Sequence, residues 1–254
     1  MQTKSSSPRV DASLNKLNIS PGYFRGLGFL PEDLDALKAL IRAKWLARLE
    51  SVRPDMREVF SATPTERYHE ICELVDHASV WNKDSRLFSK EEVQQIQSMS
   101  LFKALEDALG PFEVADIEGL GHPEIYWRIV RPGQAGDVSG AHADTWFYQY
   151  TNNMTEAQQT GLIKVWIAVN VEPGMSGLAV MDDSHLKDWP NHAEVRHGRP
   201  KPVLDVAPAD LDLVCVDTAP GEAIVFNIRL LHAGIPHTGA ESRISMEFAI
   251  RLLG

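Results

Sequence analysis

Three side chains in this sequence are of types that bind a divalent metal, and their order suits one shared site. His142 and Asp144 stand two apart in the triplet HAD, just past the Arg131-Pro132-Gly133 turn, and His232 ends the apolar run AIVFNIRLLH far downstream. On an extended segment, residues two apart point to the same face, so His142 and Asp144 are expected side by side. Two imidazoles and a carboxylate form the donor set that holds non-haem Fe(II) and leaves positions open for a chelating cosubstrate and oxygen. Eleven residues after His232 comes Arg243, with Ser245 on the same face of the same strand-like run. A guanidinium fork and a hydroxyl can grip a distal carboxylate through charge-assisted hydrogen bonds. An HxD triplet alone arises often by chance. The ordered series of HxD, His and Arg is far more specific. The histidines His185, His192, His197 and His237 are expected in loops or at the surface, His185 with a hydrogen bond near its turn.

The elements that must position these residues fall into two parts. Pro31-Glu32-Asp33 opens a stretch in which Leu34, Leu37, Leu40, Ile41, Trp45 and Leu46 recur at helical spacing, so 31–50 reads as an amphipathic helix. Segments 64–79 and 90–109 also read as helical, starting at Pro64 and Ser89, with Gly110-Pro111 as a stop. Beyond residue 110 the runs EVADI, EIYWRIVRP, LIKVWIAVNVEP, GLAVM, AIVFNIRLLHAG and RISMEFAIRL are strand-like and divided by Gly and Pro. In 162–171, Ile163, Val165, Ile167, Val169 and Val171 share one face, with Leu162, Lys164, Trp166, Ala168 and Asn170 on the other. In 243–250, Ile244, Met246, Phe248 and Ile250 oppose Arg243, Ser245, Glu247 and Ala249. One wholly aliphatic face means a sheet covered on that side, and the N-terminal helices are the natural cover. The opposite face, polar yet aromatic, suits a ligand-holding lumen. The expected fold is mainly β with covering helices, built on a double-stranded β-helix (jelly roll, cupin-like) core. Residues 1–18 read as a flexible N-terminal arm and 19–254 as a single domain, helix-rich over 31–109 and jelly-roll over 113–253.

Composition narrows the class. Against 35 Asp+Glu stand 25 Lys+Arg, a net charge of −10 that disfavours a nucleic-acid binder, which needs a basic excess to neutralise phosphates. No apolar run approaches the ~18 residues of a membrane helix, and the N-terminus shows no apolar signal core. Cys72 and Cys215 are too few for a disulfide framework, which fits two reduced cysteines in a cytoplasmic protein.

The motifs YWRIVRPG (126–133), HAD (142–144), VWIAVNVEPGMSGLAVMDDSH (165–185), PGEAIVFNIRLLHAG (220–234) and SRISMEF (242–248) together carry a resemblance. From Gly22 to Leu253 the chain resembles the phytanoyl-CoA dioxygenase family of Fe(II)/2-oxoglutarate-dependent oxygenases. The resemblance implies that His142, Asp144 and His232 bind iron, and that Arg243 pairs with the far carboxylate of 2-oxoglutarate, with Ser245 assisting. It places Trp166 beside the cosubstrate and Arg128 as a basic residue facing the pocket. It implies Fe(II), 2-oxoglutarate and O2, and hydroxylation of an unactivated C–H bond of a small polar metabolite; desaturation, ring closure and epimerisation share the oxidant. Retention of Asp144 argues against the halogenating variant, which needs that position vacant. MDDSH (181–185) departs from the family's usual turn, and Ala143 stands where many relatives carry Gln. Arg128 and Lys164 would suit an anionic substrate if they face it, and Tyr126, Tyr148 and Gln149 are pocket candidates by position. The polar stretches 151–160 and 186–206 could close over the mouth. Two other readings stay open: an other-metal cupin-like isomerase or dioxygenase without 2-oxoglutarate, and a non-catalytic jelly-roll binding protein. Oligomeric state is not legible.

Overall fold

The computed structural model describes residues 15–196 and 198–253. Helix α1 (Pro31–Val52) has proline at its start and Glu32 and Asp33 in its first turn, where a preset φ and negative charge both favour a helix N-terminus. Leu37, Ile41, Trp45 and Leu49 recur every fourth residue and form its buried stripe. Helix α2 (Arg57–Ala62) follows after a 3-10 turn. The 64–79 stretch is not one helix. It breaks into 3-10 turns at Thr65–Glu70 and Cys72–Leu74 and a short α3 (His77–Val80). Asp76 accounts for the restart, because its side chain accepts from the Ala78 N–H and offers the backbone a cap that competes with a continuous helix. Asn82 caps α4 (Lys83–Arg86) in the same way.

The 90–109 stretch is also divided, into α5 (Lys90–Gln97), opened by a Ser89/Glu92 capping box, and α6 (Ser100–Leu109). The second start is a tertiary effect: Asp33 Oδ2 accepts from the Ser100 N–H at 2.7 Å. Helix α6 stops at Gly110, whose φ of 89° is in the region that favours glycine.

The strands are β1 (Tyr23–Gly28), β2 (Phe112–Val114), β3 (Ile125–Val130), β4 (Leu162–Asn170), β5 (Leu178–Val180), β6 (Asn191–Arg196), β7 (Arg199–Leu204), β8 (Val214–Cys215), β9 (Glu222–Asn227), β10 (His232–Gly234) and β11 (Arg243–Leu252). Helices α7 (Asp144–Tyr150) and α8 (Glu156–Gln159) lie between β3 and β4. Every pairing is antiparallel. The major sheet runs β1-β9-β4-β11-β2, with β3 pairing the first part of β11 while β2 pairs its last residues. A minor sheet runs β10-β5-β8, and β6 with β7 forms a separate hairpin.

On the outer face of the major sheet, Ile163, Val165, Ile167, Ile244, Met246 and Phe248 are buried in one cluster with Leu37, Ile41 and Trp45 of α1. On the inner face, Trp166, Ala168, Ile224 and Phe226 pack against Leu178 and Val180 of the minor sheet. Two facing antiparallel sheets with helices over one of them make the jelly roll. Its lumen is polar at one end only, because this second apolar cluster fills the other.

Four further expectations change. The run 223–234 is not one strand: it turns after Asn227, and the chain passes from the major sheet to the minor one, so His232 opens β10 instead of ending a strand. Asp144 is not on an extended segment with His142 but is the first residue of α7, after an extended Ala143. Much of 186–206 is the β6–β7 hairpin. Of the arm expected over 1–18, residues 1–14 lie outside the described residues, whereas Leu17 is buried and its carbonyl accepts from the Asn227 side chain. Among the described residues, no helix is long and apolar enough to cross a membrane.

Candidate metal centre

Backbone pairing brings the two imidazoles together. His142 and His232 form an isolated antiparallel bridge, each N–H donating to the other's carbonyl at 3.0 and 2.9 Å, and their ring centroids are 4.3 Å apart. Asp144 joins them from the first turn of α7, where the next residue is tied down by the Thr145 N–H donating to the Ile228 carbonyl. One ligand atom from each of His142, Asp144 and His232 lies within 4.8 Å of the others. His142 Nδ1 is 2.8 Å from the Gly140 carbonyl and His232 Nδ1 is 3.0 Å from the Leu230 carbonyl. A carbonyl can only accept, so each Nδ1 carries the proton and each Nε2 keeps its lone pair for a ligand. Burial, then the neighbouring His232, lowers the His142 pKa to about 4, which keeps the ring neutral. Asp144 Oδ2 is buried, 4.0 Å from His232 Nε2, and has no hydrogen-bond partner. A buried carboxylate oxygen without a donor is costly, and a cation held by all three residues would satisfy it. The donor set and the orphaned oxygen fit a divalent metal.

A second orphan lies in the same cavity, which measures about 850 Å3. Arg243 is buried; its guanidinium donates to the Gly177 carbonyl, but Nε has no partner, and no carboxylate pairs with it among the described residues. Burial, joined by the Arg128 charge, pushes its pKa down to about 10. A buried guanidinium in that state favours an anionic ligand. Ser245 Oγ is likewise buried and unpartnered, although Ser245 is not among the residues that line the cavity.

Between these two points runs an ion network. Lys164 Nζ is 3.9 Å from Asp144 Oδ1 and 3.7 Å from Glu247 Oε2, and Arg128 Nε donates to Glu247 Oε1 at 2.6 Å. Burial by itself would raise Glu247, but Arg128 and Lys164 outweigh it and hold the carboxyl well below its usual range. Burial likewise opposes the Lys164 charge, and Asp144 and Glu247 overcome it, leaving the ammonium pKa raised. Arg128 and Lys164 thus line the cavity as the sequence predicted, but the chain's own carboxylates already neutralise them.

The sequence model of the phytanoyl-CoA dioxygenase (PhyH) family matches residues 22–245. The chain belongs to that family. Among solved structures, it is similar to apo EctD from S. alaskensis at 15% identity and a TM-score of 0.56, covering 99% of this chain and 79% of that one. The epimerase SnoN, in complex with Fe3+, alpha ketoglutarate and nogalamycin RO, is 14% identical with a TM-score of 0.51, covering 95% of this chain and 84% of that one. EvdMO1 is 14% identical with a TM-score of 0.53 over 97% of this chain, which spans 50% of the EvdMO1 chain. At these identities the likeness is one of fold. A comparison with curated proteins finds no match.

In this PhyH-family chain the remaining expected residues divide. Trp166 is buried on the cavity wall, braced by Ile224 and Phe226. Tyr126 lines the cavity with its hydroxyl 3.5 Å from Glu118 Oε1, and Tyr148 lines it with a buried hydroxyl that has no partner. Gln149, on the other side of α7, is exposed. His192 is exposed and pairs with Asp205 at 2.6 Å. His185 and His237 are not surface residues. His185 is buried against Gly22, which leaves no room for a side chain, and His237 is 1% exposed beside Glu172 and the Glu241 carbonyl. His197 lies outside the described residues.

Sequence reasoning missed Glu124, Arg86 and Lys201, all on the cavity wall. Glu124 had a signal: alternation places it on one face with Tyr126 and Arg128. Arg86 and Lys201 had none, because one ends a four-residue helix and the other is on the hairpin.

Proposed function

We propose that this chain is a non-haem Fe(II)- and 2-oxoglutarate-dependent oxygenase that hydroxylates an unactivated C–H bond of a small polar molecule. One observation carries the reading. The cavity holds two orphaned groups, Asp144 Oδ2 between two imidazoles tied at Nδ1 and the Arg243 guanidinium, and these are what a metal and a dicarboxylate would complete. In this reading His142, Asp144 and His232 hold iron, Arg243 holds the C5 carboxylate with Ser245 behind it, and Trp166 flanks the cosubstrate. When bound, iron with 2-oxoglutarate and O2 supplies an oxidant able to break a C–H bond.

The chain's own residues do the rest. The Gly140 and Leu230 carbonyls fix both imidazole tautomers, so neither ring must reorganise to ligate. Lys164 sits beside Asp144 Oδ1, leaving Oδ2 for the metal. The apolar cluster of Trp166, Leu178, Val180 and Phe226 closes one end of the lumen to water. Tyr126 and Tyr148 are left on the wall to orient the substrate, with Arg128 held by Glu247.

The test is an anaerobic titration of Fe(II) and 2-oxoglutarate followed by a substrate screen for succinate. The expected result is a weak visible band that needs both additions and is lost in Arg243→Ala. Metal binding with no 2-oxoglutarate band would point instead to a metal-dependent jelly roll that does not use this cosubstrate.

A further inference from the structure

The chain as a whole carries a charge of −10, yet the cavity is lined by eight Lys and Arg against five Asp and Glu. Most of those cations are already matched. Arg128 and Lys164 neutralise Glu247 and Asp144, and Lys83 pairs with Glu118. Arg243 is allotted above to the cosubstrate. Arg196 pairs with Glu194 and Arg199 is exposed, which leaves Arg86 and Lys201 as the half-buried cations of the wall. Among the described residues neither has a carboxylate at ion-pair distance, and the Arg86 Nε is buried without a hydrogen-bond partner.

The two come from different elements. Arg86 ends α4, which is anchored to β3 by the Trp127 Nε1–H donating to the Ser85 carbonyl at 2.9 Å. Lys201 is in β7, its Nζ 5.4 Å from the centre of the Phe147 ring of α7. Burial, then the Arg128 charge, lowers the Arg86 pKa. Burial also lowers that of Lys201, and Arg199, Arg86 and Arg128 push the same way against Glu118. Two half-buried cations in one cavity, the Arg86 charge opposing that of Lys201, form a subsite short of an anion.

We propose that the substrate carries an anionic group, a carboxylate or a phosphate, that docks between Arg86 and Lys201, away from the His142/Asp144/His232 end of the same cavity. This deepens the oxygenase reading and rests on it for the reaction that the anchored molecule undergoes. The anchor makes the substrate bifunctional: an anionic end between Arg86 and Lys201 and the reacting C–H bond toward the triad. It also moves the expected anion recognition from Arg128 and Lys164, which are spoken for, to two residues that are not.

The probes are inorganic phosphate, benzoate and neutral benzamide, titrated calorimetrically into anaerobic protein saturated with Fe(II) and 2-oxoglutarate so that Arg243 is occupied. At least one anion should bind the wild type, and the one that binds more tightly names the group. In Arg86→Gln/Lys201→Gln that binding should weaken by roughly 10- to 100-fold, the loss typical of charge-assisted hydrogen bonds. Arg86→Lys/Lys201→Arg should retain it, and 2-oxoglutarate affinity should be the same in all three proteins. Failure of both anions to bind the wild type, equal binding to wild type and the Gln double variant, or benzamide binding as tightly as benzoate, overturns the proposal. Should the double variant not fold, Lys201→Gln alone, a change at a half-exposed strand residue, is read by the same criterion. Absence of 2-oxoglutarate binding to the wild type would sink the oxygenase reading instead; the anion subsite would still stand or fall on phosphate binding with and without the Gln substitutions.

Discussion

Strands β4 and β11 are one antiparallel pair with two faces, and the faces have opposite physical fates. On the outside, Ile163 is opposite Ile250, Val165 opposite Phe248 and Ile167 opposite Met246, all under α1. On the inside, Lys164 is opposite Ala249 and Trp166 opposite Glu247, with Arg243 at the start of β11. The outer face needs no partner chemistry and contributes roughly 25 cal/mol per Å2 of apolar surface buried. The inner face costs stability, because each charge removed from water loses several kcal/mol of solvation that only a well-placed partner returns. Adjacent residues on one strand therefore do different jobs, one holding the sheet under its helices and the next presenting a charge to the cavity. Stability from the first permits the desolvated groups of the second.

The largest expected effect breaks the inner face alone. Asp144→Ala should abolish turnover and Fe(II) binding, followed by anaerobic metal titration, while the thermal midpoint moves by no more than a few degrees. Phe248→Ala breaks the outer face alone. It should cost about 3–5 kcal/mol in urea denaturation, the usual toll for emptying a buried aromatic site, with 2-oxoglutarate affinity of the folded fraction unchanged. Together these two variants separate the faces; if Asp144→Ala unfolds the protein or Phe248→Ala also loses the cosubstrate, the separation is wrong.

Arg243→Ala sharpens the comparison by testing a charge without touching the metal. Removing one member of a buried charge pair costs about 2–5 kcal/mol, so 2-oxoglutarate should bind roughly 30-fold to several-thousand-fold more weakly at ~1.4 kcal/mol per tenfold. Arg243→Lys should recover part of this, since an ammonium lacks the planar fork. A titration within about threefold of wild type would return Arg243 to a structural role.

Acid should dissolve the inner face before the outer one. Glu247 has a folded pKa held below its unfolded value by Arg128 and Lys164 against burial. Its contribution is therefore complete above the unfolded pKa of about 4.3 and is lost progressively as pH falls toward the folded one. Denaturation curves of wild type and Glu247→Gln should differ most at neutral pH and converge as pH is lowered to 3. A constant difference across that range would mean that Glu247 is not ionised in the folded protein. The smallest effect is outside both faces: His192→Ala, at an exposed pair with Asp205, should change stability by no more than about 0.5 kcal/mol and leave Fe(II) binding intact.

The outer face was legible in the sequence because a strand's alternation is a period of two written into consecutive residues, and Ile163/Val165/Ile167 and Ile244/Met246/Phe248 could be assigned without knowing their neighbours. The same alternation placed Lys164, Glu247 and Arg243 on the lumen side. Less of the helical part could be read. The restart at α3 depends on the Asp76 cap, and the start of α6 on Asp33, a residue of another helix. Glu124 could have been found by extending the alternation of β3 backwards. His185 and His237 could not, since what buries them, Gly22 for one and Glu172 with the Glu241 carbonyl for the other, comes from outside their own turns.

The sequence by itself determined the donor types, their order along the chain and which side of each strand faces the lumen, all of which follow from residue identity and local backbone geometry. Tertiary structure decided how those groups are matched. His142 meets His232 only because the chain leaves the major sheet after β9 and His232, opening β10 of the minor sheet, bridges to the segment ahead of α7. Arg128 finds Glu247 across 119 residues, whereas among the described residues no carboxylate comes within ion-pair distance of Arg86 or Lys201 on the same cavity wall. A charge's counter-ion is chosen by distance in space, in a low-dielectric cavity where an ångström changes which pair forms, and no local pattern in the chain encodes that distance.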